Sequence, residues 1–104
     1  MELNKPLEWE YSQKEITFDL NTNELKKYFN PYTKAYVELK QFFKKMNFHH
    51  RQGSVYCSNE IINNYTVLLI IDNLIKNHSW ILDCLNEMDV TNVGDLHRVT
   101  NYFK

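Results

Sequence analysis

Glu15 to Asn21 reads EITFDLN, a strict alternation of apolar and polar residues. Successive side chains of an extended strand point to opposite faces, so Ile16, Phe18 and Leu20 share one face. Glu15, Thr17, Asp19 and Asn21 take the other. A strand that is apolar on one side and polar on the other belongs to a sheet covered by helices on a single face.

The segments that follow supply those helices. Asn30 before Pro31 suits a helix start, because Asn caps free amides and Pro fits the first turn. Tyr32, Ala35, Tyr36, Leu39, Phe42, Phe43 and Met46 then recur at intervals of three and four, which predicts a helix to about Asn47. Phe48 to Ser58 (FHHRQGSVYCS) reads as two short strands bending at Gly53, with Val55 and Cys57 on the core side and Ser54, Tyr56 and Ser58 on the other. A second long helix is expected from Asn59 to about Lys76, carrying Ile61, Tyr65, Leu68, Ile71 and Ile75. Ser79 can cap a short helix, WILDCLNE, followed by a brief strand near Met88 to Val93 and a last helix, DLHRVTNYFK, capped by Asp95. That succession predicts an α+β chain of the ferredoxin-like, split βαβ type: an antiparallel sheet with helices on one face and the first and third strands as central neighbours.

Composition sets the limits. The 104 residues suit one core, and 43% hydrophobic with 14% aromatic residues excludes a disordered chain. Twelve Lys and Arg against thirteen Asp and Glu give a net charge of −1, so a polyanion can be held only at a local site. Cys57 and Cys84 lack metal-ligand or disulfide-framework spacing. Met1 to Gln13 holds Glu2, Glu8 and Glu10 without an apolar run, unlike a signal peptide, and Val67 to Ile71 is far shorter than the roughly 20 residues of a membrane span. The expectation is a cytoplasmic chain that does not engage a membrane. Glycine-rich phosphate loops and His-x-x-x-His pairs are absent from the sequence, which disfavours nucleotide-dependent and metalloprotease chemistry.

Strand order and alternation bring polar residues together. The first strand ends at Asp19, the third begins at Ser54, and the fourth begins near Asp89 on the other side of the first. Alternation sends all three to the open face at one end of the sheet. Two carboxylates near a hydroxyl can bind a divalent cation or orient a nucleophile, whereas Asp at a strand end and Ser after Gly also serve turns. His49 and Arg51 fall on the open face, where they can contact RNA or simply defend an edge strand, and His50 turns inward with Phe48. Tyr56 on the open face can stack a base or pack in a dimer.

The segments ITFDLN, PYTKAYVELKQFFKKMNF, RQGSVY and SWILDCLNEMDV, in that order, resemble the virulence-associated protein D (VapD) family. The resemblance runs from about Lys14 to Val93. It implies a ferredoxin-like homodimer, related to the CRISPR-associated protein two nucleases, that cleaves RNA and often acts as the toxin beside an antitoxin protein. Family functional positions fall on Asp19, Ser54 and Asp89. The family's usual Arg-Asp-Ile-Arg-Ala-Phe at the last strand is replaced by MDVTNV, which lacks both arginines, so that phosphate binding is either weakened or reassigned to Arg51 and His49. Residues 1–13 are then an extension to a domain of residues 14–104. Its Leu7, Trp9 and Tyr11 alternate with Glu8 and Glu10 as an added edge strand would.

The sequence therefore predicts an endoribonuclease in which Asp19 binds a cation or orients the attacking oxygen, Ser54 contacts the phosphate and Asp89 supports them. The carboxylates favour Mg²⁺ and water, while His49 permits metal-free acid-base chemistry, and both routes stay open. The alternative is a non-catalytic dimer of the same fold that holds nucleic acid or an antitoxin.

Overall fold

The EITFDLN strand forms as its alternation requires. In the computed structural model, which describes residues 11–93, it is strand β2 (Lys14–Leu20), with Ile16, Phe18 and Leu20 buried and Asp19 exposed. A short strand β1 (Tyr11–Ser12) precedes it. After it come helices α1 (Thr22–Leu25) and α2 (Lys34–Lys45), strands β3 (Phe48–Gln52), β4 (Val55–Ser58) and β5 (Ile62–Asn63), helices α3 (Asn64–Asn77) and α4 (Trp80–Cys84), and strand β6 (Leu85–Asn92). Four strands form an antiparallel sheet in the order β3-β4-β2-β6, so the first long strand and the second strand of the hairpin are central neighbours, as expected.

Local chemistry sets the ends of these elements. Asn21 caps α1 by accepting from the Glu24 amide at 3.0 Å, and Asn63 caps α3 by accepting from the Thr66 amide at 2.9 Å. Regular α2 begins at Lys34; Pro31 to Thr33 form the turn that leads in, their carbonyls accepting from the amides of residues 34 to 36. It ends where Asn47 takes a left-handed φ of 67°, a conformation Asn tolerates better than most residues. The Asn59 amide then donates to the Asn47 carbonyl, which ties the helix exit to the end of the hairpin.

One core joins the sheet to α2 and α3. Ile16, Phe18, Phe48 and Tyr56 from the strands meet Leu39, Phe43, Val67 and Leu74 from the helices. Phe43 lies at the centre, 4.5 Å from Tyr56 in a stacked pair, 5.4 Å from Phe48 and 5.7 Å from Phe18. Aromatic pairs at such spacings add about 0.5–1.5 kcal/mol beyond the area they bury.

Three boundary expectations need correction. Residues 59–63 are not helical: Ile62–Asn63 pairs with Tyr11–Ser12 in a separate two-stranded sheet, and α3 starts at Asn64. The buried stripe of α3 is Val67 and Leu74 with Ile70 and Ile71 packed beside it, while Tyr65 and Leu68 stay exposed. A run as uniformly apolar as VLLII carries no phase to say which side faces inward. The helix from Trp80 stops at Cys84, and the last strand starts at Leu85, three residues before the expected Met88, because Leu20 offers it a partner there. Of the proposed N-terminal edge strand only Tyr11–Ser12 falls within the described residues, and it joins β5, not the main sheet. The C-terminal helix from Asp95 lies outside the described residues. Among the described residues no helix is long and apolar enough to cross a membrane.

Candidate active site

The polar residues gather where β2 leaves the sheet and the β3–β4 hairpin turns. Gln52 pairs with Val55 across a loop of Gly53 and Ser54. Gly53 has φ +44° at the first loop position, as tight hairpin turns of the II′ kind require, and a side chain there would be strained even though open space surrounds it. The Phe18 amide donates to the Ser54 carbonyl at 3.0 Å, which sets the loop directly beside the Asp19 end of β2.

The expected meeting of Asp19 and Ser54 at one end of the sheet is present, but the two do not share a face. Ile16 opposes Tyr56 and Thr17 opposes Val55, so Val55 and Cys57 lie on the open face while Ser54 and Tyr56 lie towards the helices. The alternation expected for the hairpin is inverted. Tyr56 is 1% exposed and belongs to the core, so it offers no ring on the open face for a base to stack on. The physical reason is volume: the tyrosine ring fills the space against Phe43 and Phe18 that Val55 would leave empty. Once Tyr56 points inward, the period of two carries Ser54 with it.

Ser54 thereby meets a residue that the sequence reading took as core, Tyr36 of α2. The Tyr36 phenol is in polar contact with Ser54. Burial is the main cause that raises its pKa above the ordinary tyrosine value, with the Tyr32 phenol and the charge of Asp19 adding and the Ser54 contact opposing. The phenol therefore stays a hydrogen-bond donor at neutral pH. Burial pushes Tyr56 further, to about 12, with Tyr36 adding to the shift. The only sequence signal for Tyr36 was a hydroxyl-bearing residue at the margin of an apolar stripe.

On the open face, β6 supplies the acidic neighbours. Met88 pairs with Phe18 and is half-buried, and Asp89 is exposed as alternation required. Asp89 opposes Thr17, however, and the residue opposite Asp19 is Glu87. The earlier start of β6 moves Asp89 to mid-strand, diagonal to Asp19, a relation that separates Cα atoms by about 7–8 Å. His49 and Arg51 lie on the open side of β3. His49 Nδ1 is 2.6 Å from the Asn59 Oδ1, and Arg51 pairs with Glu15 at 3.2 Å. Between those last two sits the Cys57 thiol, which is 3% exposed; burial pushes its pKa up and Arg51 partly opposes this.

His50, expected inward, opposes Tyr56 on the helix side, yet it is exposed because β3 is an edge strand. Its Nε2 is 2.6 Å from the Gly53 carbonyl, and its ring centroid is 4.9 Å from that of Tyr56. Arg51 is the extra residue of a register shift between His50 and Gln52, a β-bulge of the kind found beside active sites.

The donor set does not fit a resident Mg²⁺ that also reaches Ser54. Among the described residues, no three His, Cys, Asp or Glu are grouped to hold a metal ion. The carboxylate that Asp19 faces, Glu87, is on the open side, with the sheet between that pair and the Ser54 hydroxyl.

No family model matches the chain. Curated proteins do match it. Endoribonuclease VapD of Dichelobacter nodosus is 33% identical over 81 residues, covering 77% of this chain and 85% of that protein. The Endoribonuclease VapD homolog of Helicobacter pylori is 30% identical over 80 residues, covering 77% and 84%.

This chain belongs to the VapD family.

Endoribonuclease VapD 2 of Riemerella anatipestifer, 29% identical over 82 residues, extends the same relationship. The β2 strand end with Asp19, the hairpin loop with Ser54 and the α2 helix with Tyr36 meet at one corner of the four-stranded sheet. The arrangement can present hydroxyl donors to a phosphate on the helix side of the loop and carboxylates on the other side of the strand end.

Proposed function

We propose that the protein is an endoribonuclease that cleaves RNA phosphodiester bonds at the corner formed by the end of β2 and the β3–β4 loop. Membership of a family whose matched relatives are named endoribonucleases supports the reaction class. The observation that carries the location is the bond from the Phe18 amide to the Ser54 carbonyl, which sets a hydroxyl beside a carboxylate-bearing strand end. Ser54 and Tyr36 donate hydrogen bonds to the oxygens of the scissile phosphate, where charge develops. Asp19, whose charge helps keep the Tyr36 phenol protonated, joins Glu87 and Asp89 in keeping that end of the open face acidic. Arg51 and His49, on the open side of the hairpin, steer the chain of phosphates. No step runs through a metal.

The remaining proposals extend this reading. The strand order supports a ferredoxin-like arrangement, and the uncovered face of the sheet supports a homodimer. The family resemblance supports a toxin held by an antitoxin partner in the cytoplasm. Incubating RNA with the wild type, Asp19→Ala and Ser54→Ala tests the centre of the proposal. Fragment yields that fall in both variants, by about 10²-fold or more in Ser54→Ala, agree with it, the latter scale set by losing one transition-state donor. Equal yields from all three proteins remove these residues from the reaction, and RNA bound but uncut by the wild type favours the non-catalytic dimer instead.

A further inference from the structure

We infer that His50 is the general base of this site, accepting the proton of an RNA 2′-hydroxyl so that cleavage proceeds by internal attack on the neighbouring phosphate. The inference rests on the endoribonuclease reading above and goes beyond it by fixing the substrate class and the products.

Four observations carry it. A backbone carbonyl can only accept, so the 2.6 Å contact with the Gly53 oxygen fixes the proton of the neutral ring on Nε2 and leaves the lone pair on Nδ1. An orienting acceptor behind an imidazole is the arrangement that a histidine base needs. The Tyr56 ring, 4.9 Å away and tilted by 33°, further limits the orientation of His50. His50 and Ser54 flank the same loop, and both lie on the helix side, where the Tyr36 phenol also sits. Finally, His50 is exposed on an edge strand, where a polymer can reach it. Of the other histidines within the described residues, His49 points to the open face with Nδ1 on Asn59, and His78 packs against Phe42 at the far side of α2.

The step balances without a metal or a second reactant. Nδ1 takes the 2′-hydroxyl proton as the 2′-oxygen forms a bond to phosphorus. The bond from phosphorus to the 5′-oxygen breaks, its electron pair leaves with that oxygen, and solvent supplies its proton. Ser54 and Tyr36 hydroxyls hold the non-bridging oxygens. The products are a 2′,3′-cyclic phosphate and a 5′-hydroxyl, and the imidazolium returns its proton to solvent. DNA has no 2′-hydroxyl and is not a substrate.

The experiment incubates the purified wild type with a single-stranded RNA oligonucleotide, with and without EDTA, and identifies the new ends. The same RNA with 2′-deoxyribose at the cleaved position and the variant His50→Ala complete the set. Cyclic phosphate ends, persistence in EDTA, no cut at the deoxy position and a loss of about 10²-fold or more in His50→Ala are expected. New ends bearing 5′-phosphate, or cleavage by His50→Ala at the wild-type rate, overturn the role of His50 while leaving the endoribonuclease reading intact. A wild type that cuts no RNA overturns both. The end-group result needs no variant, so a folding defect in His50→Ala cannot obscure it.

Discussion

Replacing Tyr56 by Ala tests the inverted hairpin, because the two possible alternations give opposite outcomes. In the structure the ring stacks on Phe43 at 4.5 Å and 20° and meets Phe18 edge-on at 6.3 Å. Its residue is 1% exposed. Truncating a buried aromatic side chain to Ala costs about 3–5 kcal/mol, from lost transfer energy plus the cavity left behind. Val55 is only half-buried on the open face, so Val55→Ala should cost under about 1 kcal/mol. With a urea slope of about 1 kcal/mol per molar for a chain this size, Tyr56→Ala lowers the unfolding midpoint by about 3 M or leaves the protein unfolded. Urea titration followed by far-ultraviolet circular dichroism reads both variants. A Tyr56→Ala midpoint within about 0.5 M of the wild type, beside a strongly destabilised Val55→Ala, would refute the burial of Tyr56 and return Ser54 to the open face.

Stability should also fall at high pH. The folded state raises Tyr56 from 10.0 to about 12, so it favours the neutral phenol; the stabilisation is complete below pH 10 and is lost as pH rises towards 12, by about 2–3 kcal/mol, and Tyr56→Phe should flatten this decline in urea midpoints measured across the range. Gly53→Ala should lower stability by about 1–2 kcal/mol through backbone strain alone, because φ is +44° and nothing lies within 4 Å of an added side chain. A full recovery of that loss in Gly53→Asn would fit the same cause, whereas no loss in Gly53→Ala would contradict the left-handed loop. Tyr36→Phe removes the hydroxyl beside Ser54 and should reduce RNA cleavage while changing the unfolding free energy by under about 1 kcal/mol; unchanged cleavage would exclude the phenol from phosphate binding.

The local patterns carried much of the architecture. Alternation in EITFDLN set the face of every residue of β2, and the apolar stripe from Ala35 to Phe43 placed α2 against it. The hairpin turn at Gly53 and the exposure of Asp19 and Asp89 also followed from short-range rules. Short-range rules fail where the pattern has no phase. VLLII is apolar all round, so its buried side could not be read, and the start of β6 at Leu85 depended on a partner residue far away in sequence.

The sequence by itself determined an α+β fold whose first long strand ends in a carboxylate next to a hairpin loop bearing a hydroxyl. The tertiary structure decided which way that hydroxyl points. Alternation in the second strand of the hairpin has a single choice of sign, and the bulge at Arg51 prevents the sign from being carried over from β3. The choice falls to packing across the core, where a tyrosine ring between Phe43 and Phe18 fills more volume than valine can. With Tyr56 inward, Ser54 joins Tyr36 on the helix side, and the site straddles the strand end.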